Sequence, residues 1–211
     1  IDLSQQETSV HLMANRVIAH TMNGNTNPRK GNRDEHMAPH GNFRCYGEDS
    51  WVSIAVRSDQ EWRRLCSIMG EAELSEDERF TDLDGRMQNI DEIERIVTQW
   101  TESRNAYSIM NKLQAENIPC APVLKGHEVA ENPQLIERDF FDRVDDPGIG
   151  SYAHAGTPWK LSRAPSRVRT PAPGLGQHSE QILSTLLGVS SEDLLSLVER
   201  GITGDTPNLD D

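Results

Sequence analysis

The sequence predicts a mixed α/β chain whose central part, about residues 39–146, forms a compact α+β unit. Residues 42–46 would pair with residues 51–56 as a β-hairpin across a short polar turn. Apolar residues at helical spacing follow the hairpin, and an apolar run with two prolines at 118–124 predicts a strand at a sheet edge. Strands and helices therefore alternate within this unit, while the segments on either side of it are mainly helical.

Residues 1–30 contain one predicted helix and the turn-rich segment that ends it. Apolar side chains recur at helical spacing from Leu3 to Met22. Ser4 is the expected N-cap, and Glu7, three residues later, completes the pattern of a capping box. Turn-forming Asn, Gly, Thr and Pro residues then follow Met22. We therefore predict a single helix over residues 3–22.

Three further helices are predicted inside the central unit, each with one apolar face. Ser58 and Glu61 form a second capping box, and Gly70 ends the helix that they begin. The next helix begins at Asp91, and the third covers about residues 106–116. The apolar positions on the three helices are Trp62, Leu65, Cys66, Met69, Ile93, Ile96, Val97, Trp100, Ile109, Met110 and Leu113.

The last part of the chain, residues 151–211, contains a linker-like stretch and two helices. Proline, arginine and serine dominate from Arg163 to Pro173, which is typical of a linker crossing a surface. The apolar positions of the two helices are Ile182, Leu183, Leu186, Leu187, Leu194, Leu197 and Val198. Like the first helix, these helices have no sheet near them in the sequence. We expect them to pack on each other or on part of a domain that this chain lacks.

Charge and cysteine content restrict the class of protein. The chain has 211 residues and a net charge of −13, which argues against binding to nucleic acid or to an anionic membrane. No apolar stretch approaches the length of a membrane span, and we expect no signal peptide. Three cysteines without metal-site or disulfide spacing predict reduced thiols and a cytoplasmic location. Cys120, in an apolar run, is expected to be a buried and inert thiol.

The candidate functional segment is the loop from Gly31 to Gly41, which leads directly into the predicted hairpin. Long loops on a rigid support commonly carry function. His36 and His40 have the spacing of a zinc-binding helix, but Pro39 would break such a helix and no third ligand is evident. We therefore expect no metal site. The two histidines are either incidental residues of a solvated loop or side chains that face a substrate.

Several different short motifs follow one another along the chain in a specific order. They include Ala-Pro-His-Gly at 38–41, Ile-Pro-Cys-Ala-Pro-Val at 118–123 and Ala-Pro-Gly-Leu-Gly-Gln-His at 172–178. Further motifs lie at residues 1–7, 51–56, 77–80, 132–135 and at Arg86, Asn89, Arg138 and Phe141. In order and spacing this set resembles class III coenzyme A transferases, the CaiB/BaiF family, over nearly the whole chain. One departure is Asp-Glu-Arg-Phe at 77–80, where the family usually has Asp-Pro-Arg-Phe.

The resemblance implies a fold in which both chain ends contribute to a large, Rossmann-like domain that binds CoA. Residues 1–30 would be a helix and linker of that domain, and residues 31–150 the small α+β domain. Residues 151–211 would be the return linker and the C-terminal helices that pack on the large domain. Two such chains would interlock as a homodimer. This chain would then be an incomplete C-terminal half of the family fold.

The family also implies transfer of CoA between an acyl-CoA thioester and a free carboxylic acid through an aspartyl covalent intermediate. The CoA thioester is a substrate, and no covalently bound cofactor is expected. In the family the nucleophilic aspartate lies upstream of the segment that matches Ile1. No residue of this chain is therefore predicted to be catalytic, and the chain alone is expected to be inactive.

The contribution of this chain to the family site would be a loop on the substrate side. In the transferases a glycine-rich loop at this position closes over the aspartate, and here Gly31 and Gly41 are the glycines of the segment. The residues expected in this substrate loop are Gly31, His36, Pro39, His40 and Gly41. The two histidines are the side chains expected to face substrate.

Two other functions fit the same resemblance. Acyl-CoA racemases share the fold and move the proton α to the thioester with an acid–base pair, which would again lie upstream. The chain also fits a non-catalytic half of an assembly. The fold alone does not decide among these functions. An upstream aspartate alone would favour transfer, and an upstream His–Asp pair would favour racemisation. The lack of an upstream partner would favour a binding or structural role.

Overall fold

The computed structural model describes residues 2–26, 28–164 and 166–207. Contacts divide the chain into two compact units, Ile1–Val123 and Leu124–Asp211. The boundary predicted near residue 150 lies at the turn between two paired strands of the second unit. The assignment of the three chain segments to a small and a large domain stays a prediction.

The described residues contain ten α-helices, one short 3-10 helix and five strands. The helices of the first unit are α1 (Gln5–Leu12), α2 (Ala14–Asn23), α3 (Asp59–Met69), α4 (Leu83–Gln88), α5 (Ile90–Glu102) and α6 (Ala106–Ala115), with the 3-10 helix at Ala72–Ser75. Those of the second unit are α7 (Gly126–Ala130), α8 (Pro133–Glu137), α9 (Ser179–Leu187) and α10 (Ser191–Glu199). The strands are β1 (His40–Arg44), β2 (Trp51–Ala55), β3 (Cys120–Pro122), β4 (Phe141–Asp146) and β5 (Gly150–Ala155).

The first unit is built on a three-stranded antiparallel sheet of order β1-β2-β3. The predicted hairpin is confirmed, since Arg44 pairs with Trp51 beside the turn. β3 lies at the sheet edge, where its prolines are tolerated. The core fills the space between one face of the sheet and helices α3, α5 and α6. Its fully buried members include Val52, Ile54, Trp62, Leu65, Ile93, Val97, Ile109 and Leu113.

Helix α3 begins and ends where the local sequence predicts. The hydroxyl of Ser58 accepts the N–H of Glu61 at 3.2 Å, and Gly70 ends the helix with a φ of 83°. The Glu61 carboxylate accepts the N–H of Arg57 at 2.7 Å, rather than completing the capping box at Ser58. The N-cap is therefore confirmed. The second hydrogen bond of the capping box is replaced by one from the N–H of Arg57, one residue before Ser58.

Replacing Ser58 by alanine is expected to destabilise the first unit by about 1 kcal/mol, because it leaves a helix N–H without its acceptor. Denaturant unfolding of the two proteins measures this difference. Ser4 is a matched control, since its hydroxyl accepts the N–H of Glu7 in the same way at the start of α1. Helix α1 buries no residue, so Ser4→Ala should leave the unfolding midpoint unchanged. An equal effect of both substitutions would contradict this argument.

The single helix predicted over residues 3–22 is interrupted at Met13, whose φ of −102° and ψ of 18° separate α1 from α2. Beyond the break, the Asn15 side chain accepts the N–H of Arg16 at 2.9 Å, a local bond that competes with the helix pattern. Neither helix buries a residue. Helices in proteins are stabilised mainly by packing. In a segment without packing, a local side-chain hydrogen bond is therefore sufficient to interrupt the helix.

Arg86 on α4 is a fully buried charge that joins three parts of the first unit. Its guanidinium donates to the carbonyl of Ala38 at 2.9 Å and to the carbonyl of Phe80 at 3.1 Å. A third bond reaches the carboxylate of Asp59 at 2.8 Å. The guanidinium also lies 5.8 Å from the ring of Trp62. Arg86 therefore holds the end of the 31–41 loop against the core.

The second unit contains the hairpin β4–β5 and the closing helices α9 and α10. The buried carboxylate of Asp142 accepts the N–H of Val168 at 2.8 Å and the guanidinium of Arg167 at 2.9 Å. These two bonds keep the pKa of Asp142 below its usual value. The return segment after β5 is thereby tied to the hairpin. α9 and α10 bury no residue, as expected for helices with unpartnered apolar faces.

In the described part of the chain, no helix combines the length and the apolar character needed to cross a membrane.

Candidate functional site

A cleft of about 510 Å³ opens in the first unit on the sheet face opposite the core. Gly31, Asn32 and Arg33 form one wall, and residues of the three strands form the floor. Clefts of a few hundred Å³ are of the size that holds small molecules. The lining residues are Gly31, Asn32, Arg33, His40, Gly41, Asn42, Ser53, Ile54, Ala55, Pro119, Cys120 and Ala121.

The structure brings Gly31, His40 and Gly41 of the predicted loop together at this cleft. His36 is exposed and Pro39 is buried, and neither is among the lining residues. The Pro39 carbonyl accepts the N–H of Val56 at 2.9 Å, which joins the end of the loop to the strand β2 and its continuation. The role of these loop residues in substrate binding stays a prediction.

His40 is oriented by a hydrogen bond within the loop. Its ring Nδ1 bonds the carbonyl oxygen of Asn32. A carbonyl only accepts, so Nδ1 carries the proton, and in the neutral ring Nε2 keeps its lone pair. His40 therefore lines the cleft and, through its bond to the Asn32 carbonyl, also holds the wall of the cleft.

The polar floor of the cleft was not identified from the sequence. Ser53 on β2 stands opposite Asn42 on β1, and its hydroxyl donates to the Asn42 side-chain oxygen at 2.5 Å. Ala121 on β3 is the next partner of Ser53 across the sheet. The signal that identifies these positions is strand alternation, because Phe43, Val52 and Ile54 are buried while their neighbours face the cleft. Small side chains on this face leave room for a ligand.

Cys120 borders the cleft, but it has the properties of a structural thiol. It is 7% exposed, and burial raises its pKa to about 12. Burial likewise raises the pKa of Cys45 to about 11 and that of Cys66 to about 12. Thiolate, not thiol, is the nucleophile in cysteine chemistry. The cysteines therefore do not supply a nucleophile to this cleft.

Alkylation by iodoacetamide at about pH 8 is expected to be at least about 100-fold slower in the folded protein than after unfolding, because each pKa unit lowers the thiolate fraction tenfold. Mass spectrometry of time-resolved labelling measures the rate at each cysteine. N-acetylcysteine in the same buffer gives the reference rate. Rapid labelling of Cys120 in the folded state would contradict the assignment and place a reactive thiolate at the cleft.

Metal ligands are not grouped in this structure. Among residues 2–26, 28–164 and 166–207, three or more His, Cys, Asp or Glu side chains are nowhere arranged to hold a metal ion. Polar side chains at the cleft are instead the His40 imidazole, the Asn42 amide and the Ser53 hydroxyl. Such a set suits hydrogen bonding to an organic ligand.

Comparison with family models matches residues 1–179 to CoA-transferase family III. The chain is 35% identical over 164 residues to a probable CoA-transferase of Mycobacterium tuberculosis, covering 77% of the chain and 21% of that relative. It is 29% identical over 187 residues to the formyl-CoA:oxalate CoA-transferase of Afipia carboxidovorans, covering 87% and 44%. A succinyl-CoA–D-citramalate CoA-transferase of Chloroflexus aurantiacus is 27% identical over 197 residues, covering 93% and 49%. The chain thus spans less than half the length of these curated relatives.

Solved structures show the same fold. A CaiB/BaiF family protein from Brucella suis superposes with a TM-score of 0.71 at 23% identity, covering 83% of this chain and 45% of that one. The protein Rv3272 of M. tuberculosis superposes with a TM-score of 0.66 at 22% identity, covering 84% and 46%. The order of motifs, the fold and the extent of the family match agree. This chain belongs to CoA-transferase family III.

Proposed function

We propose that this chain is part of an enzyme that moves coenzyme A between an acyl-CoA thioester and a free carboxylic acid. The observation that carries the proposal is the family match over residues 1–179. Relatives named for formyl-CoA with oxalate and for succinyl-CoA with citramalate support the same reaction type. Both reactions exchange a thioester for a carboxylate, so the substrate class proposed here is an acyl-CoA with a small carboxylic acid.

The contribution of this chain would be the cleft beside the 31–41 loop. Gly31 and Gly41 contribute no side chain to its rim, and the Asn42–Ser53 pair supplies hydrogen-bonding groups. Such groups suit the oxygens of a carboxylate or thioester. Holding the two substrates in fixed geometry makes the transfer effectively intramolecular, which is the main advantage that a binding cleft provides.

The nucleophile in this proposal is an aspartate upstream of the segment that begins at Ile1. Its carboxylate would attack the acyl-CoA carbonyl, form a mixed anhydride and release CoA as thiolate. The CoA thiolate would then attack the aspartyl carbonyl of the anhydride, form an aspartyl-CoA thioester and release the donor acid. The acceptor carboxylate would displace CoA from this thioester to give a second anhydride. CoA would then attack the acceptor acyl carbonyl, which yields the new acyl-CoA and frees the aspartate. The chain alone would accordingly be inactive and act as one half of the site.

The exposed apolar faces support an assembly larger than this chain. The described residues of α1, α2, α9 and α10 include none that is buried. We propose that these faces complete a large CoA-binding domain, and that two complete protomers interlock as a homodimer in the cytoplasm. Sedimentation tests the first point: the isolated chain should self-associate, and a well-behaved monomer would count against the two-ended large domain.

The deciding experiment measures CoA exchange from formyl-CoA and succinyl-CoA to free carboxylic acids, with hydroxylamine added to trap acyl intermediates. It is made on this chain and on a polypeptide of full family length that includes it. Transfer by the longer polypeptide alone, with an aspartyl hydroxamate upstream of Ile1, is the expected result. Transfer by this chain alone would mean that the nucleophile lies within it. Exchange of the α-proton without transfer would favour the racemase, and inactivity with every pair would favour a non-catalytic role.

A further inference from the structure

The wall of the cleft is attached to the first unit by few contacts. Open space lies on both sides of it, since a second cavity of about 310 Å³ separates residues 30–33 from helix α5. A side chain built on Gly31 would meet no atom within 4 Å, and Gly31 has a φ of 64°. Gly31 is therefore not held by packing, whereas Asn32 approaches the strand closely, since a Cβ built on Gly41 would lie 3.5 Å from the Asn32 Cβ. Polar groups that reach across these spaces add to the attachment of the wall.

Arg33 supplies the strongest of these groups. Its Nε donates to one carboxylate oxygen of Glu94 at 2.9 Å and its Nη2 to the other at 2.6 Å. The same Nη2 also bonds the carboxylate of Asp91. Both acids lie on α5, sixty-one and fifty-eight residues further along the chain. Paired bonds from one guanidinium to one carboxylate fix orientation as well as distance, which a point charge does not.

Three further bonds act near the same segment. The Asn32 carbonyl bonds His40, the first residue of β1, which ties the wall to the sheet. Glu35 pairs with Lys30, just before the loop, and, at 3.5 Å, with Arg16 on the exposed helix α2. None of these three bonds reaches the packed helices of the unit. The fork on Glu94 and Asp91 is thus the described side-chain link between the wall and α5.

We propose that Arg33 is a positioning residue that sets the width of the cleft by fixing residues 31–33 on helix α5. Ion pairs would then determine the placement of this loop, in place of the glycine flexibility that the loop of the transferases has. Isolated exposed ion pairs stabilise a protein little. Here, however, Arg33 makes two hydrogen bonds to the carboxylate of Glu94, and only 29% of the Glu94 side chain is accessible. The consequence for turnover rests on the proposed function, whereas the attachment of the loop does not.

Hydrogen exchange followed by mass spectrometry tests the attachment directly. In Arg33→Gln the amides of residues 30–36 should exchange at least about tenfold faster, while those of β2 stay unchanged. Arg33→Lys keeps the positive charge but not the two parallel hydrogen bonds, so its exchange rate should lie between those of the wild type and Arg33→Gln. Arg95→Gln is the matched control, because Arg95 lies on α5, the helix that carries Glu94, and bonds only Gln99 among the described residues. Unchanged exchange in Arg33→Gln would overturn the proposal.

Charge reversal separates the ion pair from a general effect of the substitution. Arg33→Glu should release the loop by repulsion, and adding Glu94→Arg should return exchange toward the wild-type rate. In the wild type, salt at about 1 M should speed exchange in the same segment, since screening acts over about 3 Å at that concentration. Failure of the double variant to recover would overturn the assignment to this pair.

A kinetic reading distinguishes this proposal from the proposed function. In a full-length polypeptide that transfers CoA, Arg33→Gln should raise the KM for the acceptor acid more than it lowers kcat, and Arg33→Lys should partly restore it. If no transfer is found in any form, the exchange experiments still decide whether Arg33 fixes the loop. If transfer is found, and Arg33→Gln changes neither KM nor kcat, the position of the loop does not affect substrate binding at the cleft.

Discussion

Replacement of Arg86 by methionine is expected to lower the free energy of unfolding of the first unit by about 3–5 kcal/mol, the cost typical of breaking a buried charge network. The guanidinium is fully buried and satisfies the carbonyls of Ala38 and Phe80. Methionine fills a similar volume but donates no hydrogen bond. Each buried acceptor left unpaired contributes about 1–3 kcal/mol to the loss.

The first unit can be followed separately from the second by tryptophan fluorescence. Trp51, Trp62 and Trp100 lie in the first unit and Trp159 in the second, so a Trp159→Phe background reports only the first. Arg63→Met is the matched control, because Arg63 is an exposed arginine of the same unit. It should change stability by less than about 0.5 kcal/mol. A small effect of Arg86→Met would mean that water or rearrangement satisfies both carbonyls.

Replacement of Ala121 by tryptophan is expected to reduce kcat/KM for CoA transfer by about 100-fold or more in a full-length polypeptide, since small displacements of a substrate have effects of that size. Ala121 is exposed on the floor of the cleft, opposite Ser53. An indole at this position would occupy the space between the floor and the wall at Gly31. Because the substituted side chain points away from the core, the fold should persist.

Val123 provides the control for this substitution. It lies two residues beyond Ala121, is 44% exposed and does not line the cleft. By strand alternation its side chain is on the same sheet face as that of Ala121. Val123→Trp should therefore leave both kcat/KM and the melting temperature near their original values. If Ala121→Trp retains full activity with an unchanged fold, the cleft is not where the substrates bind.

Local rules in the sequence predicted the first unit well. Ser58 and Gly70 mark the ends of α3, and the hairpin lies where the turn residues place it. The short helices α4, α7 and α8 were not predicted, because each has too few residues to establish an apolar period. The break at Met13 was also missed. Spacing predicts which residues share a face, but it does not show whether any partner is present to hold that face.

The candidate site was only partly predictable. The glycines and His40, which line the cleft, could be singled out because a long loop before a hairpin is visible in the sequence. The roles of Arg33 and Arg86 depend on partners far away in sequence, at Glu94 and Ala38. No spacing rule relates such positions. Both arginines resemble ordinary surface charges until the fold places an acceptor beside them.

The edge strand β3 affects how this chain behaves beside other copies of itself. In the antiparallel register, Ala121 and its alternate neighbours turn their backbone groups toward β2, so Cys120 and Pro122 turn theirs outward. Pro122 has no N–H, and the Cys120 carbonyl already accepts the Gln114 amide at 2.7 Å. Within β3, which the structure describes in full, this leaves one outward donor, the Cys120 N–H, and one outward acceptor, the Pro122 carbonyl. An incoming strand would find almost nothing to pair with, so this border of the sheet resists the intermolecular β-pairing that begins aggregation.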